Sequence, residues 1–221
     1  MPVAAVVLDM DGVLIDSERV WAEAREELAR EVGARWDETT QARMMGMSSP
    51  EWSAYMHDEL GVPMEPPEIS QAVVERLERR YRERLPLLPH AREAVERLAA
   101  HWPLAVASSS NRPLIDLVLE LADLARCFRV TVSSEEVARG KPAPDVYLEA
   151  AARLQVDPRE CAAIEDSTNG ILSAANAGMR VIAVPRPDYP PAPDALARAA
   201  VVLDSLAELT PRVVAGEETT A

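Results

Sequence analysis

Lysine is almost missing from this chain. Lys141 is the only one among 221 residues, and arginine fills every other basic position. Phenylalanine occurs once, cysteine twice and histidine three times. Each scarcity excludes something. With one Phe, the core has to be built mainly from Ala, Val and Leu. Cys127 and Cys161 stand far apart in apolar surroundings and lack metal-ligand spacing, so they are expected as reduced, buried core residues. No apolar run is long enough to span a bilayer. The N-terminus has no basic region of the signal-peptide kind, which makes the cytoplasm the expected location. Basic residues are outnumbered by acidic ones, 23 to 37, for a net charge of -14. That field argues against nucleic acid or an anionic membrane as partner. It also repels small anionic substrates, so a site for phosphate esters needs concentrated local positive charge.

An apolar content of 48% supports a real core, and the length allows one large domain or a domain carrying an insertion. The first segment, Val3-Ala4-Ala5-Val6-Val7-Leu8, is an uninterrupted Val-rich run and reads as a strand buried on both faces of a parallel sheet. It leads into Asp9 and Asp11. In extended chain, positions i and i+2 point the same way, and Gly12 lets the backbone turn out of the sheet. Two carboxylates this close require a cation, a shared proton, or both. Acidic residues at a strand end also commonly cap the next helix, so the pair alone leaves both readings open.

From Ser17 to about Leu85 the spacing is helical throughout. Trp21, Ala24, Leu28 and Val32 recur before Gly33, a short second helix ends near Gly46, Ser49-Pro50-Glu51 starts a third, and Pro66-Pro67 start a long charged helix. After Pro86, helices and short apolar strands alternate: Leu104–Ala107, Val130–Val132, Cys161–Ile164, Val181–Val184 and Val201–Leu203. This predicts an α/β fold, a Rossmann-like open parallel sheet with helices on both faces and an inserted α-helical cap. The core comprises residues 1–16 and 86–221, the cap residues 17–85. Pro185–Pro193 is expected as a rigid surface loop and Gly216–Ala221 as a polar tail.

Three further clusters fall at strand ends. Ser108-Ser109-Ser110-Asn111 offers hydroxyls and free backbone N–H groups that suit a phosphoryl group, although taken alone the cluster is better explained by plain N-capping. Lys141, in Gly140-Lys141-Pro142-Ala143-Pro144-Asp145, suggests a position where a planar guanidinium cannot replace a compact ammonium. Glu165-Asp166-Ser167 precedes a helix that it could cap or from which it could bind a metal.

Taken in order, these segments resemble the four motifs of the haloacid dehalogenase-like phosphotransferase superfamily. Asp9-Met10-Asp11-Gly12-Val13-Leu14-Ile15-Asp16-Ser17 is similar to Asp-x-Asp-Gly-x-x-x-Asp-Ser/Thr, Ser108 to its hydroxyl motif, Lys141-Pro142-Ala143-Pro144-Asp145 to Lys-Pro-x-Pro-Asp/Glu, and Glu165-Asp166-Ser167 with Gly170 to Glu-Asp-Ser-x-x-Gly. The resemblance implies Asp9 as nucleophile, Asp11 as acid/base and Lys141 as the screening cation. It further implies phosphate contacts from Gly12, Ser108, Ser109, Asn111 and Lys141, and Mg²⁺ held by Asp9, Asp11, Asp166 and Glu165, the last directly or through water. The implied activity is Mg²⁺-dependent hydrolysis of a small phosphate monoester, a sugar phosphate above all, through an aspartyl-phosphate. The partner is then a small phosphorylated metabolite, with the oligomeric state open and a monomer sufficient. Two alternatives accompany this reading: a β-phosphoglucomutase-type phosphotransferase and a non-enzymatic binding protein. The mutases carry His, Lys and Arg where this chain has Trp21, Met45 and Ser49, which favours the phosphatase. Several segments also resemble hexose and 2-deoxyglucose 6-phosphate phosphatases.

Overall fold

The computed structural model describes residues 2–44 and 47–217. Six strands form one parallel sheet in the order β3-β2-β1-β4-β5-β6. They are β1 (Ala5–Leu8), β2 (Leu104–Ser108), β3 (Phe128–Ser133), β4 (Cys161–Glu165), β5 (Arg180–Ala183) and β6 (Val201–Val202). The apolar runs behave as doubly buried strands must. In β1, Val6 and Leu8 join the hydrophobic cluster on one face, and Ala5 and Val7 join that on the other, all fully buried. Helices α5 (Ala91–Ala99) and α6 (Arg112–Leu121) cover the first face, while α7 (Asp145–Leu154) and α8 (Thr168–Asn176) cover the second.

Strand β1 lies between β2 and β4, so the chain departs from it in opposite directions across the sheet. The crevice beyond the carboxyl end of β1 is therefore a topological switch point, where open α/β sheets bind ligands.

Among the described residues, 17–85 contribute no strand to the sheet. They form α1 (Glu18–Glu31), α2 (Thr40–Met44), α3 (Ser49–Asp58) and α4 (Pro66–Glu83). Apolar residues at helical spacing on α4, Ile69, Val73, Leu77 and Tyr81, are buried against the other helices. The charge on α4 also has a local purpose. Arg79 and Arg80 pair with Glu27 at 3.1 and 2.6 Å, Arg80 reaches Glu23 at 3.1 Å, and Arg76 pairs with Glu31. The acids stand four apart on α1, so they form a stripe facing the arginines. The two chain crossings into and out of this segment are bonded together. Ile15 bridges Leu87, Asp16 N–H donates to Pro86 O at 2.8 Å, and Leu88 N–H donates to Leu14 O at 2.9 Å.

One expectation needs amendment. Cys127 is half-buried rather than buried, although both cysteines are free. The Pro-rich stretch runs into a short helix, α9 (Pro193–Leu196), and another, α10 (Pro211–Ala215), precedes Gly216. One turn or so of helix is too short to leave a periodic signature. Gly46, the expected end of the second helix, and the last four residues of the tail lie outside the described residues.

Candidate active site

Asp9 follows β1, and its carboxylate is almost wholly buried. Lys141 Nζ stands 3.0 Å from Asp9 Oδ1 and 2.7 Å from Glu165 Oε1, with a side chain only 4% exposed. Its position on the loop before α7 is fixed from below, since Tyr147 of α7 also donates to Glu165 Oε1 at 2.8 Å. The other oxygen of Glu165 accepts from the backbone N–H groups of Asp166 (3.0 Å) and Ser167 (3.2 Å) and from the Ser167 hydroxyl (3.2 Å). Glu165 is thus fully engaged in holding Lys141 and the turn into α8.

Two glycines make room for these acids. A Cβ on Gly12 would fall 1.9 Å from Asp166 Oδ2, and one on Gly170 would fall within 2.0 Å of the Glu165 carboxylate. Gly12 is also required conformationally, at φ +78°.

Three carboxylates, those of Asp9, Glu165 and Asp166, present oxygens within 4.8 Å of one another. Only one ammonium balances them. Burial pushes the Asp9 carboxyl up to about 7, with Glu165 and Asp11 adding to the effect and Lys141 opposing it. Burial likewise raises Asp166 well above the carboxylate range, reinforced by Glu165 and Asp9. For Lys141 burial acts against the charge, but Asp9 and Glu165 outweigh it and the ammonium is held more firmly than usual. Asp166 Oδ1 is buried without a hydrogen-bond partner, and Asp9 Oδ1 meets the ammonium of Lys141. Surplus negative charge and an orphaned carboxylate oxygen at one point fit a hard divalent cation, which takes oxygen ligands.

Asp11 faces away from that cluster. Its carboxylate accepts from Ser17 Oγ (2.5 Å), Trp21 Nε1 (3.4 Å), Ser108 Oγ (3.3 Å) and Ser110 Oγ (2.7 Å). Its side chain is therefore not among the convergent oxygens, although it was expected with the metal ligands. Of the expected phosphate contacts, Gly12, Ser109 and Lys141 line a cavity of about 320 Å³ together with Asp9, Asp11 and Asp166. Ser108 is fully buried beneath it, and Asn111 is turned aside, accepting from Ser49 Oγ at 3.1 Å and donating to Glu135 at 2.6 Å. Ser110 and Ser17 belong to the expected motifs but spend their hydroxyls on Asp11, and Tyr147 was not anticipated. The far wall comes from the helical insertion, through Trp21, Arg25, Met44, Ser49 and Trp52.

The profile of the haloacid dehalogenase-like hydrolases matches residues 3–178. The chain belongs to this family. Within these hydrolases it is 37% identical to hexitol phosphatase B of Escherichia coli K12 over 97% of both chains. It is 32% identical to the bifunctional riboflavin kinase/FMN phosphatase of Arabidopsis thaliana over 82% of its own length, and spans about half, 48%, of that larger protein. Among solved structures, CbbY from Rhodobacter sphaeroides, in complex with phosphate, superposes with a TM-score of 0.84 at 27% identity, covering 94% of this chain and 96% of that one. The sheet and the helices around it thus follow a shared family architecture.

The crowding of buried acids predicts a stability signature. A carboxyl raised in the folded state binds protons better there than in the unfolded chain, so it costs stability as pH rises from about 4 through its folded value. Without metal at pH 7.5, Asp166→Asn should therefore melt higher than the parent protein. A gain of about 1 kcal/mol corresponds to ~2–4 °C for a chain of this length. The difference should shrink at pH 5, and Mg²⁺ should raise the melting temperature of the parent protein but not of the variant. Thermal melts with and without chelator check this. A lower metal-free melt for Asp166→Asn would show attraction, not repulsion, at that position.

Proposed function

We propose that this chain is a Mg²⁺-dependent phosphatase of small phosphate monoesters, sugar phosphates in particular, acting through an aspartyl-phosphate on Asp9. The observation that carries the reading is the placement of Lys141, buried and in contact with both Asp9 and Glu165 at the floor of a cavity that Asp11 also lines. A binding protein has no use for an ammonium enclosed between a nucleophile and its brace.

Asp9 attacks phosphorus, and the ester oxygen leaves with a proton from Asp11. Asp11 then takes a proton from water, which attacks the phosphorus of the acyl phosphate, releases inorganic phosphate and restores Asp9. Three of the four partners of Asp11 are serine hydroxyls, able to donate to the ionised carboxylate or accept from the protonated one. Both protonation states can be held in place. Lys141 supplies fixed positive charge beside the transferring group, where preorganised electrostatics contribute most. Mg²⁺, held by Asp9 and Asp166 with Glu165 behind them, would neutralise phosphoryl oxygens when bound.

Residues 17–85 act as a cap whose helices exclude water from the cavity during transfer. The hinges are Ile15-Asp16 and Pro86–Leu88, where the two crossings are bonded to each other. The cap positions compared with the mutases also favour hydrolysis. Trp21 is committed to Asp11 and Ser49 to Asn111, while Met45 lies outside the described residues.

A panel of phosphorylated metabolites, assayed with Mg²⁺ and with chelator, tests the proposal. Phosphate release that requires Mg²⁺ is expected. Conversion of β-glucose 1-phosphate to its 6-phosphate without phosphate release would replace it with the mutase reading.

A further inference from the structure

Arg25 of α1 is buried to 94% in the wall of the cavity, yet no carboxylate lies within ion-pair distance of it among the described residues. Its guanidinium carbon sits 4.8 Å from the ring centroids of both Trp21 and Trp52, which meet edge to face. Nη1 donates to Gln41 Oε1 at 3.4 Å, and Gln41 Nε2 donates in turn to Glu18 Oε2 at 3.3 Å. The Nε–H has no partner. Burying a guanidinium with an unmet donor is costly unless something supplies an acceptor. The two indole faces hold the group rigid, so little entropy is lost when a ligand binds.

The acceptor could be a second anionic group or a neutral oxygen, and the surrounding charge decides between them. Three cations line the cavity, Arg25, Lys141 and Arg186, against five carboxylates, those of Asp9, Asp11, Asp16, Glu18 and Asp166. Lys141 is taken by Asp9 and Glu165, and Arg186 by Asp16 at 2.9 Å. Arg25 itself lies in the field of Glu18 and Asp11. A bound divalent ion together with a phosphoryl dianion uses the remaining balance. A second phosphate or carboxylate beside Arg25 would then face Glu18 with no unmatched positive charge.

We propose that Arg25 and Glu18, braced by Gln41 and the two tryptophans, form a specificity subsite for the neutral, hydroxyl-bearing end of a monophosphate. The guanidinium donates to hydroxyl oxygens and the carboxylate accepts from hydroxyl protons. Substrates bearing a second anion are rejected by Glu18. This inference rests on the phosphatase reading and refines it.

Glucitol 6-phosphate and 6-phosphogluconate share an open six-carbon skeleton and differ in ending as a hydroxymethyl group or a carboxylate. p-Nitrophenyl phosphate offers no hydroxyls and reports the phosphatase chemistry itself. The parent protein should favour glucitol 6-phosphate over 6-phosphogluconate by at least tenfold in kcat/KM. Arg25→Met should lower kcat/KM for glucitol 6-phosphate at least tenfold more than for p-nitrophenyl phosphate, chiefly through KM. Glu18→Gln, at the cavity rim, should narrow the preference against 6-phosphogluconate, and it keeps the test decisive should Arg25→Met not fold. A parent enzyme that prefers 6-phosphogluconate, and loses that preference in Arg25→Met, would make Arg25 an anion anchor and overturn the proposal. Equal losses on all three substrates, or no change in Glu18→Gln, would also overturn it. Failure to release phosphate from any of them with Mg²⁺ would instead refute the phosphatase reading beneath it.

Discussion

Asp9→Asn should reduce Mg²⁺-dependent phosphate release to background, a loss on the order of 10⁴-fold or more, as removal of a covalent nucleophile does. The amide keeps the shape of the side chain but cannot attack phosphorus, and it gives up a charged cation ligand. The fold should survive, because burial already disfavours the charge on Asp9. A metal-free melt at or above that of the parent protein, combined with no turnover, is the expected pair of results. Substantial activity in pure, folded Asp9→Asn protein would refute covalent catalysis at this residue.

Lys141→Arg is the second large effect, and the apparent conservatism of the change is what makes it informative. Arginine serves at every other basic position of the chain. The ammonium at 141, however, is enclosed by Asp9, Glu165 and the ring of Tyr147, whose centroid lies 5.1 Å away. A planar guanidinium is broader and cannot meet both carboxylates in that space without displacing one of them. Losing one well-placed electrostatic contact in such a site costs on the order of 3 kcal/mol, roughly a hundredfold in rate. Turnover at saturating substrate should fall by about that factor in Lys141→Arg and further in Lys141→Ala. Unchanged turnover in Lys141→Arg would mean that the enclosure does not matter to the reaction.

The sheet and the residues at its carboxyl edge were legible because their signals are local. An apolar run ending in Asp9, another ending in Ser108 and a third ending in Glu165 each announce a strand and a site residue together. The residues that escaped are those whose roles depend on rotation about a turn or on distant partners. Ser108, Ser109 and Ser110 are identical in type, and only the path of the backbone leaving β2 decides that Ser110 makes the shorter bond to Asp11. Tyr147 reads as an ordinary apolar position beside Val146 and Ala150, which it also is, apart from its hydroxyl. Arg25 resembles the other charges on α1. Its one signal is Trp21 four residues earlier, the spacing at which helical side chains meet. Asn111 is the opposite case, since its neighbours in sequence suit a phosphate while its partners in space are Ser49 and Glu135.

The tight seat of Glu165 against Gly170 makes those two positions evolutionarily inseparable. Gly170 has no left-handed conformation to protect, and its Cα simply borders the volume that the carboxylate fills. Any side chain at 170 must evict Glu165, and with it the brace beneath Lys141. Shortening residue 165 to make room would remove the same brace, so neither position can change first without loosening Lys141.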